Sequence, residues 1–434
     1  MKAEPAHRDL DARTPLGLLI EDAEEEGASQ GNLRRADGDR AADLQDIVRR
    51  VRPHFAAAGI TRVAEVTGLD RIGIPVALAV RPNARSLSVS QGKGFLRDEA
   101  VVSAVMESLE LAAAERLPET LHWASLFEMS VAGTSTIALD LSTRCRLDRI
   151  KPGEMLAWVQ GYDLCANRIV NVPWSLVGVD YRPDPAGYHG AFQVSTDGLA
   201  SGVTFPEAIF HGLCELIERD AGALLELMPT AELSRRVASI GAADGAEVLR
   251  AEQMIRSAGF VLTLIDMTTD IGIPAFTAII TDSAMANAPC VPRYAHSAGS
   301  ACHPARPRAI MKAIAEAAQS RITRITGSRD DLPPELYQMA EGAERKAIVD
   351  LLSFAGPSAG PPSTRPGSAI PAGVRPLVAQ LLRHGIQQVV AVPIKNSFGI
   401  SVVRMIVPGL QTEIAGPRSK LSTRALATLI GRLH

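Results

Sequence analysis

Two glutamates three apart, Glu107 and Glu110, sit in the stretch SAVMESLELAA. The spacing returns at Glu215 and Glu218 in HGLCELIERDA, and again as Glu316 and Gln319 in AIAEAAQSRI. Residues i and i+3 are neighbours on a helix surface. Each segment, if helical, therefore presents two oxygen-bearing side chains on nearly one face. Paired carboxylates repel unless a cation lies between them. Hard cations such as Mg²⁺ take oxygen ligands and share them readily with phosphates. Five carboxylates and an amide brought together would be too much negative charge to leave bare in a core. The chemistry this pattern points to is the binding of metal ions that bridge to a nucleotide.

A single Glu-x-x-Glu is ordinarily a solvated helix face. Here the register repeats. Ala100, Ala208 and Ala309 each precede the first acid, Glu107, Glu215 or Glu316, by seven residues, and Gly94 and Gly202 precede Glu107 and Glu215 by thirteen. Three occurrences in register among small and apolar residues indicate a degenerate internal repeat. Its spacing of about 100 residues is far longer than a solenoid period. The glycine-containing leads would let backbone N–H groups approach phosphates. The GKG around Lys93 lacks the full phosphate-loop pattern, so Lys93 taken alone reads as a surface lysine. Arg219 and Arg321 taken alone read as salt-bridge partners of nearby acids.

The elements that must hold these residues follow from periodicity and punctuation. LQDIVRRVRPHFAAAGI has helical spacing and stops at Gly59. TRVAEVT and IPVALAVRP read as strands about the turn GLDRIG. Helices are expected over 97–116, 205–228 and 306–326, with further helices at EVLRAEQMIRSAG and LVAQLLRHG. TSTIALDLS, MLAWVQGYDL, IVNVPWSLVGVDY, FVLTLIDMT, IPAFTAIITD, QQVVAVPI and ISVVRMIVPGL read as strands. Helices and strands mix throughout, so the class is α/β, of mixed α+β type. Residues 1–45 are polar without a clear period and read as a partly disordered arm. Residues 354–376, rich in Pro, Gly, Ser and Ala, read as a surface loop within a unit spanning 46–415, and 416–434 as a tail.

The chain has 434 residues, enough for a large core. A net charge of −3 gives no sign of a nucleic-acid partner. No apolar run reaches the roughly 20 residues of a membrane span, and the acid-flanked start reads as no signal peptide. Five cysteines, an odd number without metal-type spacing, suit reduced thiols in the cytoplasm. Cys214 reads as a small buried hydrophobe. Cys302, beside His303, is the better candidate for thiol chemistry, although buried inertness remains the simpler reading.

GITRVAEVTGLDRIGIPV, the GKG ten residues before SAVMESLE, GLASGVTFPEAIFHGLCELIERDA and EAAQSRITRITGSRDDL together resemble the YcaO family over roughly residues 45–415. That resemblance implies the YcaO fold, with three related units around an ATP site, and ATP with Mg²⁺ as cofactors. It implies a nucleotide site at Lys93, Ser103, Glu107 and Glu110, at Glu207, Glu215, Glu218 and Arg219, and at Lys312, Glu316, Gln319 and Arg321. Glu107, Glu110, Glu215, Glu218 and Glu316 would be the metal ligands. No catalytic residue beyond this site is implied. The expected reaction is O-phosphorylation of a peptide backbone amide, which makes its oxygen a leaving group. Sulfide would then give a thioamide, and a neighbouring Cys, Ser or Thr an azoline. The second and third segments look most like members paired with a TfuA protein. That favours a thioamide in a peptide or protein substrate, a TfuA-like partner and a homodimer.

The sequence departs from the family at Val203, where many members carry Asn, and at Lys312, where Arg is frequent and its bidentate fork is lost. RRADGDRAA blurs an N-terminal basic motif, for which Arg34 or Arg35 would substitute. LATLIGRLH lacks the proline-rich tail of azoline-forming members, which disfavours a cyclodehydratase. The remaining alternative is a non-catalytic scaffold that binds peptide or partner; a scaffold has no need of so costly an acidic cluster.

Overall fold

A computed structural model describes residues 42–287, 291–292, 295–340, 371–412 and 420–431, with Leu16, Gly17 and Leu19. Arg34, Arg35, Cys290, most of the expected arm and most of the 354–376 loop lie outside the described residues. The chain runs through α1 (Leu44–Val51), β1 (Arg62–Glu65), β2 (Val76–Val80) and β3 (Val89–Lys93) into α2 (Arg97–Ala114). Then come β4 (His122–Ser125), β5 (Met155–Asp163), β6 (Arg168–Pro173) and β7 (Leu199–Gly202), followed by α3 (Phe205–Glu226). β8 (Val237–Ala238), α4 (Ala246–Ser257), β9 (Phe260–Asp266), β10 (Ala275–Asp282), β11 (Val291–Pro292) and β12 (His296–Cys302) precede α5 (Arg306–Thr326). β13 (Met339–Ala340), α6 (Val374–Arg383), β14 (Val390–Pro393), β15 (Ser401–Ile406) and α7 (Thr423–Ile430) follow.

The three acid-bearing segments are three strand–helix units: β3 with α2, β7 with α3, and β12 with α5. Each strand ends a different sheet. β3 closes the order β1-β2-β3, β12 opens β12-β10-β9-β8, and β7 closes β4-β5-β14-β15-β7, on which β6 also pairs with β5. All named strand pairs are antiparallel.

The glycines of the leads have a packing reason. A Cβ at Gly92 would stand 2.1 Å from Ala100 O and Ala104 N, and one at Gly299 would stand 2.1 Å from Ala317 N. Only glycine lets strand backbone approach helix backbone this closely. Small residues on the helices complete the contact: Ala100, Ala104, Ala208, Ala309, Ala313 and Ala317 are fully buried. Helix ends are set locally. The Thr204 hydroxyl accepts from Glu207 N–H at the start of α3, and Gly327, at φ 55°, caps α5 in the left-handed conformation.

Two expected strands differ. TSTIALDLS forms turns with a single bridge, Thr136↔Asn171. Its alternation serves burial of Ile137 and Leu139 in the core rather than pairing. IVNVPWSLVGVDY is a strand only to Pro173, after which Trp174–Leu176 makes a 3₁₀ turn. Proline has no N–H with which to extend a ladder. The tail expected at 416–434 contains α7, whose Arg424 bonds both Asp220 of α3 and Asp270. Among the described residues no helix is long and apolar enough to cross a membrane.

Candidate nucleotide and metal site

The three units face a common cavity of about 490 Å³. β3 contributes Lys93, and α2 contributes Ser103, Glu107 and Glu110. Glu207, Glu215, Glu218 and Arg219 come from α3, and Glu316 and Gln319 from α5. Ten of the twelve residues singled out in the sequence therefore line one space. An apolar wall faces them, formed by Ile47, Leu87, Val102, Met106 and Leu199.

Lys93 Nζ lies 2.5 Å from Glu316 Oε2, and its charge also acts on Glu218 and Glu107. Burial by itself would lower the Lys93 pKa, but these carboxylates raise it. Arg219 reaches Glu215 Oε1 at 3.5 Å and Asp197 Oδ1 at 3.4 Å. Burial pushes Glu107 and Glu215 up to about 7. Burial and like charge push Glu110 and Glu218 well above the usual carboxylate range, through Glu215 and Glu107 for the first and Glu316 for the second. Desolvation and like-charge repulsion both favour the protonated acid. A bound divalent cation would reverse that preference.

The donor set suits Mg²⁺ with a nucleotide. It is all oxygen, and Gln319 Oε1 is buried without a hydrogen-bond partner beside the acids. Among the described residues no three His, Cys, Asp or Glu side chains are drawn together closely enough to hold a metal ion by themselves. The carboxylates line the walls of an open space large enough for phosphate oxygens to complete the shell.

Lys312 and Arg321 do not line the cavity. Arg321 follows Glu316 by five residues, about 140° round the helix. Its Nε donates to both Asp70 oxygens at 3.1 Å while its guanidinium lies 4.4 Å from the Phe260 ring centre. The Lys312 charge acts on Cys302. Glu207 is buried, and its Oε2 accepts from Val203 N–H at 2.8 Å, whereas the Val203 side chain packs against the apolar core. Cys214 and Cys302 are buried and line no part of the cavity. Burial and the adjacent Cys214 thiol hold the Cys302 thiol well above its usual range.

Three contributors escaped the sequence reading. Arg329 lines the cavity, is held bidentately by Asp331 at 2.9 and 2.5 Å, and acts on Glu107. Its only signal was the pair of acids after it in GSRDDL. Asp197 and Arg404 lie on a loop and a strand without distinguishing spacing. Arg404 is fully buried, and desolvation with nearby Arg144 lowers its pKa to about 10.

The family model described as YcaO cyclodehydratase, ATP- and Mg²⁺-binding, matches residues 91–411. A Rhizobium leguminosarum bv. trifolii protein, described as an uncharacterized protein in the tfuA 3′ region, is 39% identical over 428 residues. The match covers 97% of this chain and 99% of that one. The structure of YcaO from Methanopyrus kandleri bound with AMPPCP and Mg²⁺ superposes with a TM-score of 0.62 at 21% identity. It covers 86% of this chain and 92% of that one. A heterocyclase in complex with substrate and cofactor gives a TM-score of 0.66 at 19% identity, again over 86% of this chain, which spans only 52% of its length. The chain belongs to the YcaO family, whose cofactors are ATP and Mg²⁺.

Proposed function

We propose that this chain uses Mg²⁺ and ATP to activate a backbone amide of a peptide or protein by O-phosphorylation. The product is a thioamide, made with a TfuA-like partner. The observation that carries the reading is the convergence of Glu107, Glu110, Glu215, Glu218 and Glu316 on one cavity with Lys93, Arg219 and Arg329. The name of the Rhizobium relative, which places it beside tfuA, supports the thioamide outcome and the partner. The same reading takes 46–415 as one catalytic unit and the protein as a cytoplasmic homodimer; the four cysteines among the described residues are unbridged, which suits a reducing compartment.

Bound ATP supplies the phosphoryl group that converts a poor electrophile into one with a leaving group. The residues bind and orient. The five carboxylates hold the metal ions that neutralise the phosphates. Lys93, Arg219 and Arg329 offset charge at the phosphate oxygens, and Ser103 and Gln319 complete the polar wall. Glu207 holds the turn before α3, while Lys312 and Arg321 lie outside the lining.

The test is to incubate the chain with Mg-ATP, sulfide and a candidate precursor peptide, with and without a TfuA-type protein. ATP hydrolysis and peptide mass are followed. Exchange of one oxygen for sulfur supports the proposal. Loss of water instead assigns the azoline-forming alternative. Absence of nucleotide binding leaves a scaffold and overturns the reading.

A further inference from the structure

Arg404 lies on β15 opposite Leu199 of β7, a strand whose Leu199, Ala200 and Ser201 line the cavity. It has no exposed surface. Its Nε donates to Val177 O at 3.0 Å and its Nη1 to Asp197 O at 2.8 Å, while Nη2 is buried without a partner. Among the described residues no carboxylate forms an ion pair with it. The opposite charges acting on it are those of Asp197, Glu215 and Glu110. Asp197 is therefore a junction: its carbonyl is held by Arg404, and its carboxylate holds Arg219, which also reaches Glu215.

A staple between two backbone carbonyls does not require charge, because a neutral donor can make those bonds. A fully buried guanidinium facing carbonyls alone is costly unless its charge is used. Here the user is the acidic wall above it. We infer that Arg404 is a positioning residue of the nucleotide site: a fixed buried cation that holds the Asp197 segment, and through it Arg219 beside Glu215, and offsets in the net field of the cavity the charge that the acids carry. This rests on the proposed function. Its consequence has a sign. Without this cation the cavity is more negative, so it should hold a bare divalent cation more tightly and a polyanionic nucleotide less tightly.

The experiment compares wild type with Arg404→Gln, which keeps hydrogen-bond donors without charge, and Arg404→Lys, which keeps charge without the fork. Mn²⁺ binding alone is read by paramagnetic resonance, and ATP binding in chelator by calorimetry. In Arg404→Gln, Mn²⁺ binding should tighten several-fold and metal-free ATP binding should weaken on the order of tenfold. Arg404→Lys should stay near wild type in both. Equal weakening of both ligands, or no change in either, would overturn the inference and leave Arg404 a structural staple. If Arg404→Gln does not fold, Asp197→Asn carries the test with the opposite sign: weaker Mn²⁺ and tighter ATP. Mg-ATP is titrated in parallel, and wild type that does not bind it defeats the proposed function itself, an outcome distinct from the variant results.

Discussion

Lys93 and Glu316 are 223 residues apart in sequence, yet Lys93 Nζ and Glu316 Oε2 meet at 2.5 Å, joining the end of β3 to the middle of α5. The contact ties the first unit to the third in the lining of the acidic cavity. It also places one ammonium among carboxylates that would otherwise repel one another.

Replacing Lys93 with Met removes that cation. ATP turnover should fall by about 10²-fold, the usual scale for one lost electrostatic contact to a transferring phosphoryl group. Stability of the ligand-free protein should fall by only about 1–2 kcal/mol. Both partners are partly exposed, and the acids left behind can take up protons. Turnover unchanged in the folded variant would remove Lys93 from the site.

Burial pushes Glu107 and Glu215 up to about 7 in the folded protein, from about 4.5 for a free glutamate. Below the lower value both states are protonated, and these groups leave stability unchanged. Between about 4.5 and 7 the unfolded chain loses the protons first, so the folded state binds more of them and stability falls as pH rises. Ligand-free protein should therefore melt several degrees lower at pH 8 than at pH 5.5. Mg-ATP should narrow that gap, because it stabilises the ionised acids and adds binding free energy. A melting temperature that is flat or rises over this range would contradict the buried, repelling arrangement of these acids.

Glu218→Gln keeps the side-chain shape in a position where the acid is strongly inclined to stay protonated. The ligand-free variant should be as stable as wild type or slightly more so, while ATP turnover drops by 10²-fold or more, roughly the effect of deleting one transition-state electrostatic contact. If instead the variant unfolds and its folded fraction keeps normal specific activity, Glu218 is structural.

The long helices were legible because their signals are local. The expected ranges 97–116, 205–228 and 306–326 compare with Arg97–Ala114, Phe205–Glu226 and Arg306–Thr326. Thr204 and Gly327 mark two of these ends in the sequence itself. β3 and β12 were read only as glycine leads. Their VSQGK and HSAGSAC are small and polar, and it is pairing with β2 and β10 that makes them strands. The acid pairs of the site were legible because they recur. Arg321 carried a plausible residue type on the wrong helix face. Arg329 and Asp197 sit outside any helical period, so only the folded chain brings Arg329 to the cavity and Asp197 to Arg219 beside it.

Asp220 of α3 is fully buried and accepts from Gln411 N–H at 2.9 Å and from Arg424 of α7. Arg424→Met would leave that carboxylate without its cation. The expected loss is about 3–5 kcal/mol in denaturant unfolding, the cost of an orphaned buried charge. Adding Asp220→Asn should recover part of it. A loss below about 0.5 kcal/mol, the range of ordinary surface changes, would mean that α7 does not dock on α3 in solution.

Cys214 and Cys302 are adjacent, buried and away from the cavity lining. A nucleophilic or sulfur-carrying thiol needs thiolate character and access, and Cys302 has neither, since burial and its neighbouring thiol hold it protonated. His303 is no ready base, because its Nδ1 accepts from Ala305 N–H at 2.9 Å. Cys214→Ala and Cys302→Ala should each cost about 1 kcal/mol through lost packing. Peptide modification with supplied sulfide should persist at wild-type rates per folded molecule. In the proposed reaction, phosphorylation activates the amide, and no enzyme thiol is needed. Loss of modification in Cys302→Ala, with ATP hydrolysis intact, would reverse this reading and place a covalent sulfur relay on the chain.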